Sequence, residues 1–171
     1  MNDTLGRDDI TELLTELGEV LAQEGERAEL FIVGGAAMAL AYNTRRFTGD
    51  LDAIFEPKMV VYEAARKVAE QHGVESDWLN DAVKGFLPGV DPNATVMLKR
   101  PGIVVRVASP RYLFAMKAAA ARADRDAKDL RELYQLNGFQ SVEEALDCVA
   151  DYYPARQLTP KTKLFVRMLL S

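Results

Sequence analysis

Phe31-Ile32-Val33-Gly34-Gly35 and, further along, Asp50-Leu51-Asp52-Ala53-Ile54-Phe55 decide the reading of this chain. They place a glycine turn ahead of a strand that carries two carboxylates. Side chains alternate between the faces of a strand, so Asp50 and Asp52 point one way while Leu51, Ala53 and Phe55 point into the protein. Two like charges a few ångströms apart repel, and the pair makes sense once a cation or a basic group lies between them. Mg2+ takes one or two carboxylates and fills its other positions with water and substrate phosphates. Gly34 and Gly35 lack a Cβ, which lets backbone N–H groups approach a phosphate, and a helix over residues 36–42 would present its positive end there. The predicted site therefore takes a nucleoside triphosphate and a divalent metal, Mg2+ or Mn2+, with Asp50 and Asp52 as ligands and Gly34 and Gly35 at the phosphates.

Strand, Gly-Gly, helix and D-x-D strand, in that order over residues 31–55, resemble the nucleotidyltransferase superfamily built around the DNA polymerase β palm. Aminoglycoside nucleotidyltransferases, CCA-adding enzymes and the small AbiEii and MenT-type toxins share that pattern. The resemblance implies a minimal nucleotidyltransferase fold of the α/β (α+β) class, and the elements read along the chain predict about four strands in a mixed sheet, flanking helices and a helical C-terminal third. The expected organisation is residues 1–108 as a palm-like core and residues 109–171 as a helical part packed on it as one globular unit.

A chain of 171 residues is enough for about one domain with an adequate core. Its single cysteine, Cys148, sits in Ala145-Leu146-Asp147-Cys148-Val149-Ala150 at a core-facing helix position, so it reads as a buried small hydrophobe. No N-terminal apolar run follows a basic start and no uncharged stretch is long enough to span a bilayer, so a cytoplasmic protein without a membrane partner is expected. The net charge of −5 conceals an asymmetry: residues 1–30 hold nine acids and two bases, whereas residues 99–131 hold nine bases and three acids. The second stretch is suited to anions, whether nucleic acid, triphosphate or an acidic partner, although a solvated helix face accounts for part of it.

Leu13, Leu14, Leu17, Val20 and Leu21 recur at helical spacing within residues 8–24. Residues 29–33 form the first strand. Pro57 suits the first turn of a helix that runs to His72, where Gly73 stops it, and His72 reads as a helix-end residue facing the dipole. Residues 77–86 read as a short helix on which Asn80 and Lys84 share a face, with Trp78 and Phe86 in the core. Residues 95–98 and 103–107 flank a turn. Ser109-Pro110 opens a helix through Arg122, a second starts near Asp126, a third follows the capping-box match Ser141-Val142-Glu143-Glu144, and a last spans residues 161–170.

Lys117, followed by Arg122-Ala123-Asp124-Arg125-Asp126-Ala127-Lys128-Asp129-Leu130, resembles the K…R-x-x-R-D-x-x-D-L signature of the AbiEii and MenT-type toxins. That resemblance implies that Lys117 and Asp129 lie at the active site beside the nucleotide phosphates. Read from spacing alone, Asp129 stands equally well as an acid near a helix start after an Asp126 N-cap. In the turn before the D-x-D strand stand Thr44, Arg45, Arg46 and Thr48. An arginine there either clamps a triphosphate or sits in solvent, and Arg46 and Thr48 are the nucleotide-binding candidates. Asn80, Lys84, Arg122 and Arg125 are candidate substrate contacts, and residues 78–84 resemble an element of small nucleotidyltransferase-like proteins of unassigned role.

Two departures from the family pattern bear on mechanism. Gly-Gly replaces the Gly-Ser of many members, which leaves only backbone donors for the phosphate. No later strand carries a third acid, since Arg106 stands where polymerase-like members place a carboxylate, so either Asp129 or Asp81 substitutes or a single metal serves. The resemblance implies transfer of NMP from an NTP to an acceptor hydroxyl, with the tRNA 3′ end as first acceptor and a cognate antitoxin protein as partner of a toxin. The alternatives are an antitoxin that transfers AMP to a protein and a non-catalytic module that senses nucleotide or binds a partner.

Overall fold

The computed structural model describes residues 4–43 and 46–171. Thr44 and Arg45, placed above in the turn before the D-x-D strand, lie outside the described residues. The chain divides into two compact units, Met1–Gly85 with Asn93–Ala108 and Phe86–Pro92 with Ser109–Ser171.

The first unit holds α1 (Arg7–Gln23), β1 (Ala28–Ile32), α2 (Gly34–Ala37), β2 (Leu51–Glu56), α3 (Lys58–His72), β3 (Leu79–Asn80), β4 (Thr95–Arg100) and β5 (Ile103–Val107). The sheet has five strands in the order β3-β2-β1-β5-β4, one more than the sequence predicts. It is mixed: β1 pairs antiparallel with β2 and parallel with β5, β2 runs parallel with β3, and β4 and β5 form an antiparallel hairpin. Alternation sets its two faces. Leu30, Ile32, Leu51, Ala53, Phe55, Ile103, Val105 and Val107 are buried, while Glu29, Phe31, Asp52, Ile54 and Arg106 stand on the other side and are less covered.

Helices α1 and α3 cover the apolar face. Ile10, Leu13, Leu14, Leu17 and Leu21 form the buried stripe of α1, and Val61, Ala64, Ala65, Val68 and Ala69 that of α3. A Cβ on Gly18 would lie 2.5 Å from Ile103 Cγ2, so α1 sits closer to β5 than any larger residue would permit. Pro57 is the N-cap of α3, and Gly73, at φ 66°, closes the helix in the left-handed conformation.

Three local expectations need correction. The helix after the glycine turn starts at Gly34 and widens into a π-helical turn over Met38–Tyr42. Residues 77–86 are not one helix: Leu79–Asn80 is a strand in register with Leu51 and Asp52, and only Ala82–Phe86 winds, as a 3-10 turn. Asn80 and Lys84 thus share no helix face. Trp78 is a core residue whose indole N–H donates to Ala65 O at 2.9 Å, whereas Phe86 is 74% exposed rather than buried.

The second unit is helical: α4 (Pro110–Ala120), α5 (Ala123–Leu136), α6 (Val142–Tyr152) and α7 (Pro160–Leu170). The core of α4 is Tyr112, Leu113, Phe114, Ala115 and Ala118, packed against α5, α6 and α7. Ser109 caps α4 by accepting from Tyr112 N–H, and buried Asp91 accepts from the Ser109 N–H (2.6 Å) and hydroxyl (3.1 Å). Ser141 caps α6 by accepting from Glu144 N–H at 3.1 Å. No described helix is long and apolar enough to cross a membrane.

Candidate active site

Strand β1 ends at Ile32, Val33 N–H donates to Asp52 O at 3.0 Å, and the chain then turns at Gly34 with φ 65°. Only a residue without Cβ takes that conformation at no cost. The same position is close to one of the carboxylates, because a Cβ on Gly34 would lie 3.4 Å from Asp52 Oδ2. A Cβ on Gly35 would lie 2.9 Å from Thr48 Oγ1 and 3.3 Å from Arg46 Nη2. Gly34, Gly35, Arg46, Thr48 and Asp52 are therefore close neighbours at the glycine turn.

Asp50 precedes β2, where its main-chain carbonyl accepts from the Thr48 hydroxyl at 3.1 Å. Its Oδ2 accepts from Asn80 Nδ2 at 3.0 Å. The two-residue strand β3 delivers that amide by pairing Asn80 with Asp52, and Asn80 Oδ1 accepts from Ala82 N–H at 3.2 Å. Asn80 thus joins the carboxylate pair by a parallel strand pairing, a route that helical spacing did not reveal.

Asp81, one of the two acids offered as a third carboxylate, is otherwise engaged. Tyr62 Oη donates to its Oδ1 at 2.6 Å and Lys58 Nζ lies 2.9 Å from its Oδ2. The Tyr62 hydrogen bond, with Lys58 adding to it, holds the Asp81 carboxyl below the usual carboxylate range. On β5, Arg106 Nη1 reaches Glu29 Oε2 at 3.4 Å. Lys84 is exposed in the 3-10 turn.

In the second unit, Lys117 is 7% exposed and its ammonium lies 3.1 Å from Asp126 Oδ1 and 3.0 Å from Asp129 Oδ2. Arg122 holds the same Asp126 through both Nε (2.8 Å to Oδ2) and Nη2 (3.3 Å to Oδ1). Both aspartates are 2% exposed. Helix α5 begins at Ala123 with Arg122 as its N-cap, so Asp126 is not the cap and Asp129 lies beyond the first turn. A helix-start account of Asp129 therefore falls away. Ala121, at φ 50°, breaks the chain between α4 and α5. The helix of Lys117 and the helix of its two partners meet across that break.

Ion pairs take up part of the basic stretch. Arg106 is paired with Glu29 and Arg111 with Asp151, while Lys117 and Arg122 serve Asp126 and Asp129. Among the described residues Arg125, Lys128 and Arg131 make no ion pair, and they stand exposed at three-residue steps along α5.

A family model described as "Nucleotidyltransferase of unknown function (DUF6036)" matches residues 8–147. The chain belongs to that family. The match takes in the glycine turn, both carboxylates of the D-x-D strand, Asn80 and the Lys117–Asp129 constellation. No curated protein and no solved structure matches the chain at a significant level. In this member of the nucleotidyltransferase family, the donors at the glycine turn fit the group that such chemistry needs: carboxylate oxygens suit a hard divalent cation, and Gly34 and Gly35 bring the backbone close to Asp52 and Thr48.

Proposed function

We propose that the chain transfers NMP from an NTP to an acceptor hydroxyl, the tRNA 3′ end first among acceptors, and acts as the toxin of a toxin–antitoxin pair with a cognate antitoxin protein. The observation that carries the reading is the left-handed glycine turn at Gly34, which sets the backbone directly beside Asp52. Membership of the nucleotidyltransferase family supports the reaction class. Mg2+ or Mn2+, held by Asp50 and Asp52, would neutralise the triphosphate and favour departure of pyrophosphate.

The residues of the chain do the rest. Backbone N–H groups at Gly34 and Gly35 receive phosphate oxygens, Arg46 and Thr48 lie beside Gly35, and Asn80 fixes the Asp50 carboxylate. The acceptor oxygen attacks the α-phosphorus as the bond to pyrophosphate breaks. With Asp81 committed to Tyr62 and Lys58, and Asp129 to Lys117, the reading needs only the Asp50–Asp52 pair as metal ligands. For Lys117 and Asp129 the role beside the phosphates is the one that the toxin-like signature implies, and variants test it below. On the RNA side, α5 offers Arg125 and Lys128, with Arg131 on the same stripe.

A second reading, AMP transfer to a protein hydroxyl by an antitoxin, draws on the dispersal of the basic stretch into ion pairs. One experiment separates the two: purified chain is incubated with total tRNA, Mg2+ and each α-phosphate-labelled NTP. Label on tRNA is the expected result. Label on protein alone supports the antitoxin reading, and label on neither returns the chain to a nucleotide-sensing or partner-binding module.

A further inference from the structure

On the helical side of the first unit, away from the D-x-D strand in sequence, Glu12 and Glu16 stand one turn apart on α1 and meet His72, the last residue of α3. His72 Nε2 lies 2.6 Å from Glu16 Oε2, and one donor atom from each of the three residues falls within a sphere of contacts no wider than 4.8 Å. The sequence assigns His72 to its own helix dipole, yet the structure turns the imidazole to the neighbouring helix. Gly73 lets it do so by ending α3 at that point in the left-handed conformation.

We propose that Glu12, Glu16 and His72 form a binding site for a zinc-class divalent cation, distinct from the carboxylate pair of β2. One imidazole nitrogen and two carboxylate oxygens make a mixed donor set that favours zinc over magnesium, which prefers oxygen alone. Zinc holds such ligands at about 2.0–2.2 Å, which spaces donors on a tetrahedral ion about 3.4 Å apart, so binding requires Glu16 and His72 to open from 2.6 Å as the three donors gather around the ion. Three protein ligands leave a fourth position, and the structure provides room for it: a cleft of about 220 Å3 lined by Leu5, Asp9, Glu12, Leu13, His72 and Val74. Asp9 on the cleft wall accepts from Gly6 N–H at 2.9 Å, which keeps its carboxylate beside the N-terminal segment. Two carboxylates one turn apart on a helix repel, and an ion between them removes that cost while the histidine ties α1 to α3.

The chain has one histidine, so the imidazole Cε1–H proton resonance reports this site without assignment. The measurement uses the full chain carrying Asp50→Asn and Asp52→Asn, which removes the metal ligands of the candidate active site, with zinc chloride as the probe. The expected result is a saturable change of the His72 resonance complete at one equivalent of zinc, unaffected by millimolar Mg2+, with affinity lowered at least about tenfold by Glu12→Gln plus Glu16→Gln. Should that double substitution unfold the chain, Glu12→Gln alone, at an exposed position, gives the same comparison. A His72 resonance indifferent to stoichiometric zinc overturns the proposal, and so does unchanged affinity in the glutamine variants, which would mean a lone surface imidazole.

Discussion

The Cβ that Gly34 does not have would stand 3.4 Å from Oδ2 of Asp52, at a backbone φ of 65°. Glycine is thus favoured at this position by its conformation, and it stands directly beside a carboxylate. Gly34→Ala is expected to cost about 1–2 kcal/mol of stability through the left-handed backbone. It should also lower nucleotidyl transfer by more than that loss explains, because the methyl occupies the approach to Asp52. Thermal melting and an initial-rate assay on the same preparation give both numbers, and full activity in a folded Gly34→Ala chain would remove the phosphate cradle from the reading.

Asp50→Asn and Asp52→Asn are each expected to abolish transfer while the melting temperature holds or rises slightly. Removing one of two neighbouring negative charges relieves repulsion, and an asparagine at position 50 still offers Asn80 a carbonyl acceptor. A calorimetric scan with a transfer assay checks this. Retained activity would sink the metal assignment.

Lys117→Ala leaves Asp126 and Asp129 buried without the ammonium they share, and breaking such a pair costs about 3–5 kcal/mol. Lys84→Ala, at an exposed position, should change stability by no more than about 0.5 kcal/mol. Urea denaturation separates the two. If Lys117 also serves the phosphates, turnover measured well below the melting temperature falls by roughly tenfold to a thousandfold. A folded Lys117→Ala chain with unchanged turnover assigns the residue to packing alone.

If tRNA lies along α5, affinity should fall log-linearly with added salt. Arg125→Ala should then lower the slope by about one unit and weaken all tRNAs alike, because phosphate contacts carry no sequence information. NTP affinity should change much less. Filter binding between low and physiological salt makes the comparison, and a flat response favours the protein acceptor.

Burial pushes the Cys148 thiol up to about 11, from 9.0 for an exposed thiol. A raised folded-state value favours the neutral form, so this contribution to stability is complete below about pH 9 and is lost as pH rises through about 11. Denaturation of the native chain and of Cys148→Ala at pH 8, 9.5 and 11 isolates the effect from the tyrosines: the native chain should lose its advantage across that window. A constant difference between the two would place the thiol in water.

Alternation along β2, the apolar stripe of α1 and the serine caps at Ser109 and Ser141 follow from neighbours in the chain, and the sequence alone determined them. Period and cap chemistry are local, so a linear reading recovers them. Partnerships across the chain were decided only by tertiary structure. Leu79–Asn80 became a strand, although the residues around it suit a helix, because Leu51 N–H finds Trp78 O at 2.6 Å and the parallel register places Asn80 beside Asp50. Lys117 stands in an apolar, alanine-rich helix where a buried ammonium needs a counter-charge, yet which carboxylates supplied it depended on where Ala121 bends the chain and on α5 starting at Ala123. His72 gave no hint of Glu16, which lies a helix and two strands earlier. The physical reason is common to all three: hydrogen bonds and ion pairs between distant residues are set by the packing of whole elements, and no local periodicity encodes them.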